Sequence, residues 1–416
     1  MNKERWAACT IASANYLDFV MTSYESFFRY HPGQRFFVLV VDEPEQVAQR
    51  DYPFEVVYAK DLPIRDFYSV AFRFDVLELN TNVKPTFLKH LLQRGDIDKV
   101  LYFDPDIFFY QPLDEVVALL EKNAIVLTPH CMTPIHDSLK PAEQDFLRTG
   151  VFNLGFIGLR SSDETFQMLD WWEERCLTLG YHEIPSGLFV DQKWINLVPC
   201  FFSSVYVLKH PGCNMAYWNL HERNLGKNSL GQWIVNGQFP LVFFHFSGIS
   251  PDSETVLSKY QNRFLLANRP DLVELFQQYR ADLRKVMRLF PNAKAPYSYG
   301  CFSNGKPIPL LTRRVFGRLH EKFGPVNPFD ATGPFYKWAS ERGLAGTEES
   351  SKTYTALTYD KNDFRLRLIH KFLYILLRVV GINRYMLLMK YLSFVSVLGN
   401  QTVLFNADDF RSRQEK

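Results

Sequence analysis

The feature that most limits the fold is a regular alternation of short β-branched or aromatic runs with amphipathic helical stretches over the first 130 residues. Strands are predicted at residues 6–12, 36–41 and 99–103, and helices at 16–30 and 85–93. Strands that alternate with helices are typical of a parallel sheet covered by helices. We therefore predict an α/β fold with a mixed, mostly parallel sheet flanked by helices.

The rest of the chain divides by composition. Three more helices are predicted, at 163–180, at 190–197 and, long and charge-dotted, at 260–287, where the last one closes the first domain. A stretch rich in Pro, Gly and aromatic residues follows, then a polar one, then a basic apolar tail. The predicted divisions are a first domain at 1–288, a looped subdomain at 289–346, a linker at 347–363 and a basic amphipathic helical tail at 364–416.

The tail differs from the rest of the chain because residues 364–406 contain no Asp or Glu. No apolar run approaches the roughly 20 residues that span a bilayer. A basic, apolar helix pair favours contact with the plane of an anionic membrane surface. The alternative is packing on the first domain, with the cations reaching back to water. The tail cations are Arg365, Arg367, Lys371, Arg378, Arg384 and Lys390.

Bulk composition narrows the class of protein. The formal net charge of +2 gives no indication of a nucleic-acid partner. Six Cys are scattered without a CxxC pair, which is typical of reduced thiols. The N-terminal residues contain no apolar stretch long enough for a secretory signal. We therefore expect no nucleic-acid partner and, in a bacterial host, a cytoplasmic location, at the inner face of the membrane if the tail docks there.

The strongest local pattern is LYFDPDIFFY, residues 101–110. Asp104 and Asp106 interrupt an apolar run, and unpaired buried carboxylates are costly. Residues two apart in an extended chain point the same way, so we expect both carboxylates to face one cation. Oxygen ligands suit Mg²⁺ or Mn²⁺, with a diphosphate completing the coordination shell. The alternative is a turn or a helix N-cap without a metal role.

Three other segments carry candidate site residues. His245 follows the strand-like run VFFHFSG and is either an Mn²⁺ ligand or a satisfied structural group. Asp191 and Gln192 open the predicted helix of FVDQKWINLV, where an acidic residue is also an ordinary cap. Asn153 and Gly155 interrupt the strand FNLGFIGL, which allows a ligand to approach the backbone.

Lys84 lies before a helix in ELNTNVKPTFLKHLL, upstream of the acidic pair. A cation at this place is expected to pair with Asp104 or with a phosphate. The alternative is a solvated surface lysine.

The order of these segments resembles the glycogenin-like and bacterial lipopolysaccharide galactosyl- and glucosyltransferase families, which have the GT-A fold. The resemblance covers about residues 5–250 and implies a Rossmann-like catalytic domain, with a nucleotide-sugar half at about 1–130 and an acceptor half at about 131–250. In these families the DxD motif and a later His bind Mn²⁺ with the donor diphosphate. Asp104, Asp106 and His245 are the metal ligands that this resemblance implies.

The same resemblance implies contacts with the nucleotide-sugar donor. Asp191 and Gln192 would be catalytic residues on the reacting face of the sugar. The implied donor-binding residues, from the base and ribose through the diphosphate to the sugar, are Thr10, Ala12, Asn15, Lys84, Asp104, Asn153, Gly155 and Gly248.

The sequence departs from the family pattern in two places. Pro105 occupies the middle of the DxD motif, and HFSGISPDSE lacks the Lys expected a few residues after Gly248. His221 or Arg223, in NMAYWNLHER, is the candidate replacement for that diphosphate contact.

The predicted function is a metal-dependent, retaining glycosyltransferase that uses Mn²⁺ or Mg²⁺. It would move a hexose or pentose from a UDP-sugar to a saccharide or lipid-linked acceptor in surface polysaccharide synthesis. A sugar nucleotidyltransferase is one alternative, although TIASANYL lacks the Gly-rich basic loop of that class. A non-catalytic, membrane-associated sugar-nucleotide binding protein is the other, and only the basic tail favours it.

Overall fold

The computed structural model describes residues 5–47, 51–290, 296–346 and 363–405. The chain forms two compact units. The larger comprises Met1–Phe67 and Val76–Ser298, and the smaller comprises Tyr68–Asp75 and Tyr299–Lys416. All six cysteines are free thiols.

The strands all lie in the larger unit. Their bounds are β1 (Trp6–Ala12), β2 (Arg35–Val40), β3 (Glu55–Tyr58), β4 (Lys99–Phe103), β5 (Ile107–Phe109), β6 (Ile125–Pro129), β7 (Phe152–Arg160), β8 (His182–Glu183), β9 (Leu188–Phe189), β10 (Val205–Val207), β11 (Leu225–Lys227), β12 (Trp233–Val235), β13 (Phe239–Pro240) and β14 (Phe243–His245).

The α-helices are distributed over both units. Their bounds are α1 (Leu17–Tyr30), α2 (Phe67–Arg73), α3 (Val76–Asn82), α4 (Lys84–Gln93), α5 (Asp114–Leu119), α6 (Glu143–Thr149), α7 (Asp163–Leu179), α8 (Val198–Phe201), α9 (Pro270–Leu289), α10 (Leu310–Leu319), α11 (Pro334–Glu341), α12 (Phe364–Val380) and α13 (Ile382–Ser396).

Seven strands of the larger unit form one sheet in the order β10-β6-β7-β4-β1-β2-β3. Every neighbouring pair is parallel except those made by β7, which runs antiparallel to β4 and to β6. All seven residues of β1 are buried, as expected for a central strand covered on both faces. The prediction of an α/β fold with a mixed, mostly parallel sheet is confirmed.

The order of the strands reverses at the edge between β1 and β4. β1 pairs with β2 on one side and with β4 on the other. The chain therefore leaves β1 in one direction and returns on its opposite side. In open α/β sheets, ligands bind outside the carboxyl ends of the strands at such a topological switch point.

Two predicted helices differ from those observed. The segment 190–197 forms a 3₁₀ helix, Gln192–Leu197, before the short α8. The helix predicted at 260–287 begins at Pro270 as α9, after a single 3₁₀ turn at Leu266–Asn268. Pro restricts the preceding residue to extended conformations and is favoured in the first helical turn, so the helix starts there.

The smaller unit has its own apolar core, built around Phe72, Phe316 and Phe335. Arg313 of α10 is buried and donates hydrogen bonds to the carbonyl oxygens of Phe72 (3.0 Å) and Phe74 (2.8 Å). These bonds satisfy the buried guanidinium and fix the segment Tyr68–Asp75 within this unit. The segment predicted to be looped, 289–346, contains α10 and α11.

The tail of the smaller unit forms two helices, α12 and α13, which pack against each other. A 3₁₀ segment, Leu398–Leu404, follows them and packs on α10. Within the described ranges, every helix is too short or too polar to cross a bilayer. The predicted linker at 347–363 lies outside the described residues, except for Asp363, which caps α12.

Candidate active site

The acidic pair lies just beyond the carboxyl end of β4, in a tight turn. The Asp104 amide donates to the Gly155 carbonyl (2.8 Å), and the Ile107 amide donates to the Asp104 carbonyl (3.1 Å). This bond closes a four-residue turn with Pro105 in its second position, where the fixed φ of Pro is favoured. The expectation of an extended Asp104–Asp106 segment is wrong. The turn brings the two carboxylates together.

His245 reaches the acidic pair because β14 pairs antiparallel with β5. This pairing places His245 opposite Ile107, and the Phe246 amide donates to the Asp106 carbonyl (2.9 Å). The imidazole Nε2 lies 2.8 Å from Asp106 Oδ1 and 3.7 Å from Asp104 Oδ2. The strand register thus joins residues that are far apart in the sequence.

Gly155 leaves the space that the imidazole fills. A Cβ at this position would lie 2.3 Å from His245 Cε1, closer than any real contact. Position 155 on β7 must therefore be Gly for His245 to keep its place. The sequence pattern predicted a close approach at Gly155, and the approaching group in the structure is the imidazole.

The three side chains form an open, negatively charged cluster. His245 is 3% exposed, Asp106 18% and Asp104 32%. Burial alone would lower the pKa of His245, but the Asp106 carboxylate, with a smaller contribution from Asp104, raises it above its ordinary value. Among the described residues, no Lys or Arg forms an ion pair with either carboxylate. We call Asp104, Asp106 and His245 the acidic cluster.

The acidic cluster has the composition and spacing of a divalent cation site. Its candidate ligand atoms all lie within 4.8 Å of one another. Two carboxylate oxygens and an imidazole nitrogen suit Mn²⁺ or Mg²⁺, and they also leave open positions for other oxygen ligands. These residues therefore fit a divalent cation. Their charge is not balanced by other described groups.

A second charged group lies behind the acidic cluster. Lys84 Nζ is 2.7 Å from Asp191 Oδ2, and both side chains are 3% exposed or less. Lys84 also donates to the Leu154 carbonyl (3.0 Å) and lies 4.3 Å from the centre of the Tyr102 ring. Burial raises the pKa of Asp191, and the ammonium opposes this shift. The expected pairing of Lys84 with Asp104 is not observed, because Lys84 pairs with Asp191.

Tyr102 joins the two groups. Its hydroxyl donates to Asp104 Oδ1 (2.7 Å), while its ring lies beside the Lys84 ammonium. Asp191 stands at the N-cap position of the 3₁₀ helix Gln192–Leu197, but its carboxylate faces Lys84 and makes no capping hydrogen bond. Tyr102 was not among the residues predicted from the sequence, although it stands two residues before Asp104 on β4.

Gln192 is fixed by two backbone groups. Its Oε1 accepts from the Leu154 amide (3.1 Å), and its Nε2 donates to the Thr149 carbonyl (3.1 Å). A Cβ at Gly150 would lie 3.0 Å from Gln192 Cγ, so this glycine too is tightly approached. Gln192 therefore lies against the same strand, β7, that carries Asn153 and Gly155.

Asn153 is the centre of a buried polar network. Its Oδ1 accepts from the Gly155 amide (3.1 Å) and from Asn214 Nδ2 (2.9 Å), and its Nδ2 lies 3.3 Å from His130 Nε2. Burial lowers the pKa of His130 to about 4. His130 is therefore neutral near pH 7 and can accept a hydrogen bond from Asn153. His130 and Asn214 were not selected from the sequence.

The residues predicted to contact the base and ribose lie at β1. Thr10 and Ala12 are buried, and Asn15 is exposed and accepts a hydrogen bond from Ser13 Oγ (2.7 Å). Thr10 Oγ1 has no partner within the described part of the chain. No hydrogen bond in that part joins these three to the acidic cluster. Their role as donor ligands stays a prediction.

Gly248 positions a lysine that the sequence reasoning missed. Gly248 has φ of +72°, and a Cβ there would lie 2.5 Å from the Tyr260 ring. The Lys259 amide donates to the Gly248 carbonyl (3.0 Å), and Lys259 Nζ lies 5.0 Å from the centre of the Tyr260 ring. The backbone of Lys259 thus lies next to Gly248, although the two residues are eleven positions apart in the sequence.

The two replacements predicted for that lysine are engaged elsewhere. Arg223 is buried and donates to the carbonyls of Pro211 (2.7 Å) and Cys213 (3.0 Å). His221 lies against Thr133 and Glu222. Arg223 would have to leave these buried partners to reach a substrate phosphate, and a diphosphate contact by His221 or Arg223 stays a prediction.

The charge of Asp106 acts on two nearby tyrosines. Burial raises the pKa of Tyr16 and of Tyr217, and the Asp106 carboxylate adds to both increases. The Tyr217 and Tyr260 ring centroids are 6.3 Å apart. Tyr16 and Tyr260 are about half exposed, so their rings are accessible to a ligand.

Comparison with known sequences gives two relatives from Bacillus subtilis (strain 168), and no family model matches the chain. The uncharacterized protein YfnF is 30% identical over 184 residues, which cover 42% of this chain and 57% of YfnF. The uncharacterized protein YfnD is 25% identical over 247 residues, 58% of this chain and 77% of YfnD. The chain thus spans less than two thirds of the length of YfnF.

Several solved structures similar to this chain are glycosyltransferases. The galactosyltransferase LgtC, in complex with donor and acceptor sugar analogs, has a TM-score of 0.39 and 15% identity over 66% of this chain and 95% of its own. GlyE of Streptococcus pneumoniae TIGR4 has a TM-score of 0.40 and 16% identity, over 76% and 73%. Likeness at this level does not determine an activity, which must be argued from the site itself.

Proposed function

We propose that this chain is a metal-dependent glycosyltransferase that uses a nucleotide-sugar donor. The observation that carries the proposal is the acidic cluster. Three candidate ligands from two separate parts of the chain converge within 4.8 Å at the switch point of an α/β sheet. A sheet of this topology binds ligands at that place. A diphosphate is a suitable additional oxygen ligand for a cation held by two carboxylates.

The proposed division of work follows from the charges. A divalent cation, Mn²⁺ or Mg²⁺, would be held by Asp104, Asp106 and His245 and would offset the negative charge of the departing diphosphate. Lys259, exposed beside Gly248, is proposed as a second cation for the diphosphate. Lys84 is buried against Asp191, so its proposed role is to hold that carboxylate in place.

The donor sugar is proposed to lie against β7, next to Asn153. Gln192 is the proposed catalytic residue, stabilising positive charge at the reacting carbon of the sugar through its amide oxygen. Asp191 is sealed against Lys84, so its proposed role is to position Gln192, the next residue in the chain. An amide oxygen on that face is compatible with transfer that retains configuration. Thr10, Ala12 and Asn15 are proposed to line the nucleotide, with uridine as the base.

The acceptor is proposed to be a saccharide or a lipid-linked saccharide, and the transferred group a hexose or pentose for surface polysaccharide synthesis. Tyr16 and Tyr260, both about half exposed, support a sugar acceptor, because their rings can cover the apolar face of a sugar.

Replacement of Asp104 or Asp106 by Ala tests the metal site. We expect a loss of roughly 1,000-fold or more in Mn²⁺-dependent hydrolysis and transfer of a UDP-sugar, because charge stabilisation of the leaving group is removed. The exposed Asp252→Ala is the matched control and should retain activity. A panel of nucleotide sugars identifies the donor by its Mn²⁺-dependent thermal shift.

Three results would contradict the proposal. Full activity of Asp104→Ala would show that the acidic cluster is not the metal site. Release of pyrophosphate from a nucleoside triphosphate and a sugar phosphate would indicate a nucleotidyltransferase. Tight donor binding without any turnover, across a broad acceptor panel, would indicate a binding protein.

A further inference from the structure

The solvent-facing side of α12 carries a row of large apolar side chains. They are spaced three or four residues apart, so they lie on one face of the helix. Each is more than half exposed. Monomeric proteins rarely expose contiguous apolar patches of this kind unless the patch binds something. The members of this row, which we call the apolar stripe, are Phe364, Leu368, Phe372, Ile375 and Val379.

The apolar stripe is not the face by which α12 packs in its own unit. Leu366, Leu373, Leu377 and Val380 lie about half a turn away and are half-buried. α12 packs against α13, so the helix already has a covered face. The most exposed member of the stripe, Val379, is 76% exposed. The stripe is therefore a second apolar face, beyond what the described fold buries.

One edge of the apolar stripe is lined by cations. Arg367, Lys371 and Arg378 each precede a stripe residue, and all three are exposed. None of them has an acidic partner within the described residues. The region 364–405 contains no Asp or Glu at all. The surface thus combines exposed apolar side chains with uncompensated positive charge, and its partner must supply apolar volume next to negative charge.

We propose that α12 lies in the plane of an anionic bilayer surface, with the apolar stripe among the acyl chains and the three cations at the lipid phosphates. An amphipathic helix with a basic edge binds such a surface through both contributions. The proposed attachment is peripheral, along the surface of the bilayer. The proposal uses no residue of the acidic cluster and does not depend on the activity proposed above.

Co-sedimentation of the full-length protein with vesicles tests this proposal. The protein should bind vesicles of phosphatidylcholine mixed with phosphatidylglycerol, and bind phosphatidylcholine alone far more weakly. The triple variant R367Q/K371Q/R378Q should lose roughly 100-fold in affinity, since each surface cation contributes about fivefold. Its matched control is K122Q/K209Q/K285Q, which removes the same charge from exposed positions outside the tail and should bind normally.

A second variant, F372S/V379S, removes apolar volume and should abolish binding even at low salt. Circular dichroism and thermal unfolding check that each variant is folded. If F372S/V379S does not fold, R367Q/K371Q/R378Q alone tests the proposal. Equal binding of wild type and R367Q/K371Q/R378Q to anionic vesicles would overturn the proposal. So would a dimer in sedimentation velocity that F372S/V379S dissociates, since a second copy would then cover the stripe.

Discussion

The larger unit contains two charged groups that both contact Tyr102, and they are balanced in opposite ways. Lys84 and Asp191 are one cation and one anion, sealed from solvent. The acidic cluster has two partly exposed carboxylates and a single imidazole. The two charges of the Lys84–Asp191 pair offset each other, whereas the acidic cluster has more negative than positive charge. Burial of charge alone therefore does not identify a binding site, but accessible, uncompensated charge does.

Tyr102 contacts both the Lys84–Asp191 pair and the acidic cluster. Its ring borders the Lys84 ammonium and its hydroxyl holds Asp104. Changes in the Lys84–Asp191 pair should be seen in stability measurements. Changes in the acidic cluster should be seen in the binding of the metal or the donor.

The largest expected effect follows from breaking the sealed pair. Lys84→Met should lower the free energy of unfolding by about 3–5 kcal/mol, because it leaves a buried carboxylate without its partner. Protonation relieves this cost. Burial already raises the pKa of Asp191, and loss of the ammonium raises it further, so the destabilisation should shrink as pH falls. Urea titrations of the wild type and of Lys84→Met, at acid and at neutral pH, measure the difference in their free energies of unfolding.

Two controls sharpen this test. Lys89→Met, on the same helix, removes a partly exposed lysine paired with Asp170 and Glu173 and should cost only about 1 kcal/mol or less. The double variant K84M/D191L should regain most of the stability while remaining inactive. A destabilisation equal to that of Lys89→Met would show that the Lys84–Asp191 pair is not sealed.

The next effect concerns His130, which is neutral and buried next to the acidic cluster. Because burial lowers its pKa to about 4, its contribution to stability is present above the unfolded pKa of about 6.5 and is lost as pH falls towards 4. The loss amounts to about 3 kcal/mol. His130→Phe should flatten this part of the curve of unfolding free energy against pH. An unchanged slope, matching that of exposed His136→Phe, would contradict the assignment.

A smaller loss of stability, but a complete loss of metal binding, is expected from Gly155→Ala. The added methyl would lie 2.3 Å from His245 Cε1 and must displace the imidazole. Overpacking of this kind costs about 1–3 kcal/mol. Isothermal titration with Mn²⁺ should show no binding. Gly158→Ala on the same strand meets its nearest atom at 3.5 Å and should bind Mn²⁺ as wild type does.

Sequence patterns were sufficient for the sheet but not for the turn. β1, β4 and α1 lie within one residue of their predicted bounds, since apolar periodicity and length identify them. The prediction that Asp104 and Asp106 face one cation assumed that the segment between them is extended. In the structure the segment forms a turn with Pro105 in its second position, and the turn brings the two carboxylates together. The grouping of Asp104, Asp106 and His245 at one site was predicted from the family resemblance. The antiparallel pairing of β5 with β14 is what brings His245 next to the two aspartates.

The polar neighbours of the site could not be found in this way. Tyr102, His130 and Asn214 look like ordinary core residues in the sequence, and only tertiary contacts reveal their partners. Lys259 was missed because it stands eleven residues beyond Gly248. A loop folds back so that the Lys259 amide meets the Gly248 carbonyl. Sequence spacing cannot express a contact made by such a loop.

The smallest effect separates Lys259 from the acidic cluster. If Lys259 contacts the donor diphosphate, Lys259→Ala should raise the KM for the nucleotide sugar roughly tenfold, because one charge-assisted hydrogen bond is lost. Its kcat and its affinity for Mn²⁺ alone should change little, since the metal ligands are intact. Lys259→Arg should recover most of the donor affinity, and exposed Lys209→Ala should behave as wild type. A normal KM in Lys259→Ala would contradict the proposed contact between Lys259 and the diphosphate. The metal ion proposed at the acidic cluster would then be the cation that offsets the diphosphate charge.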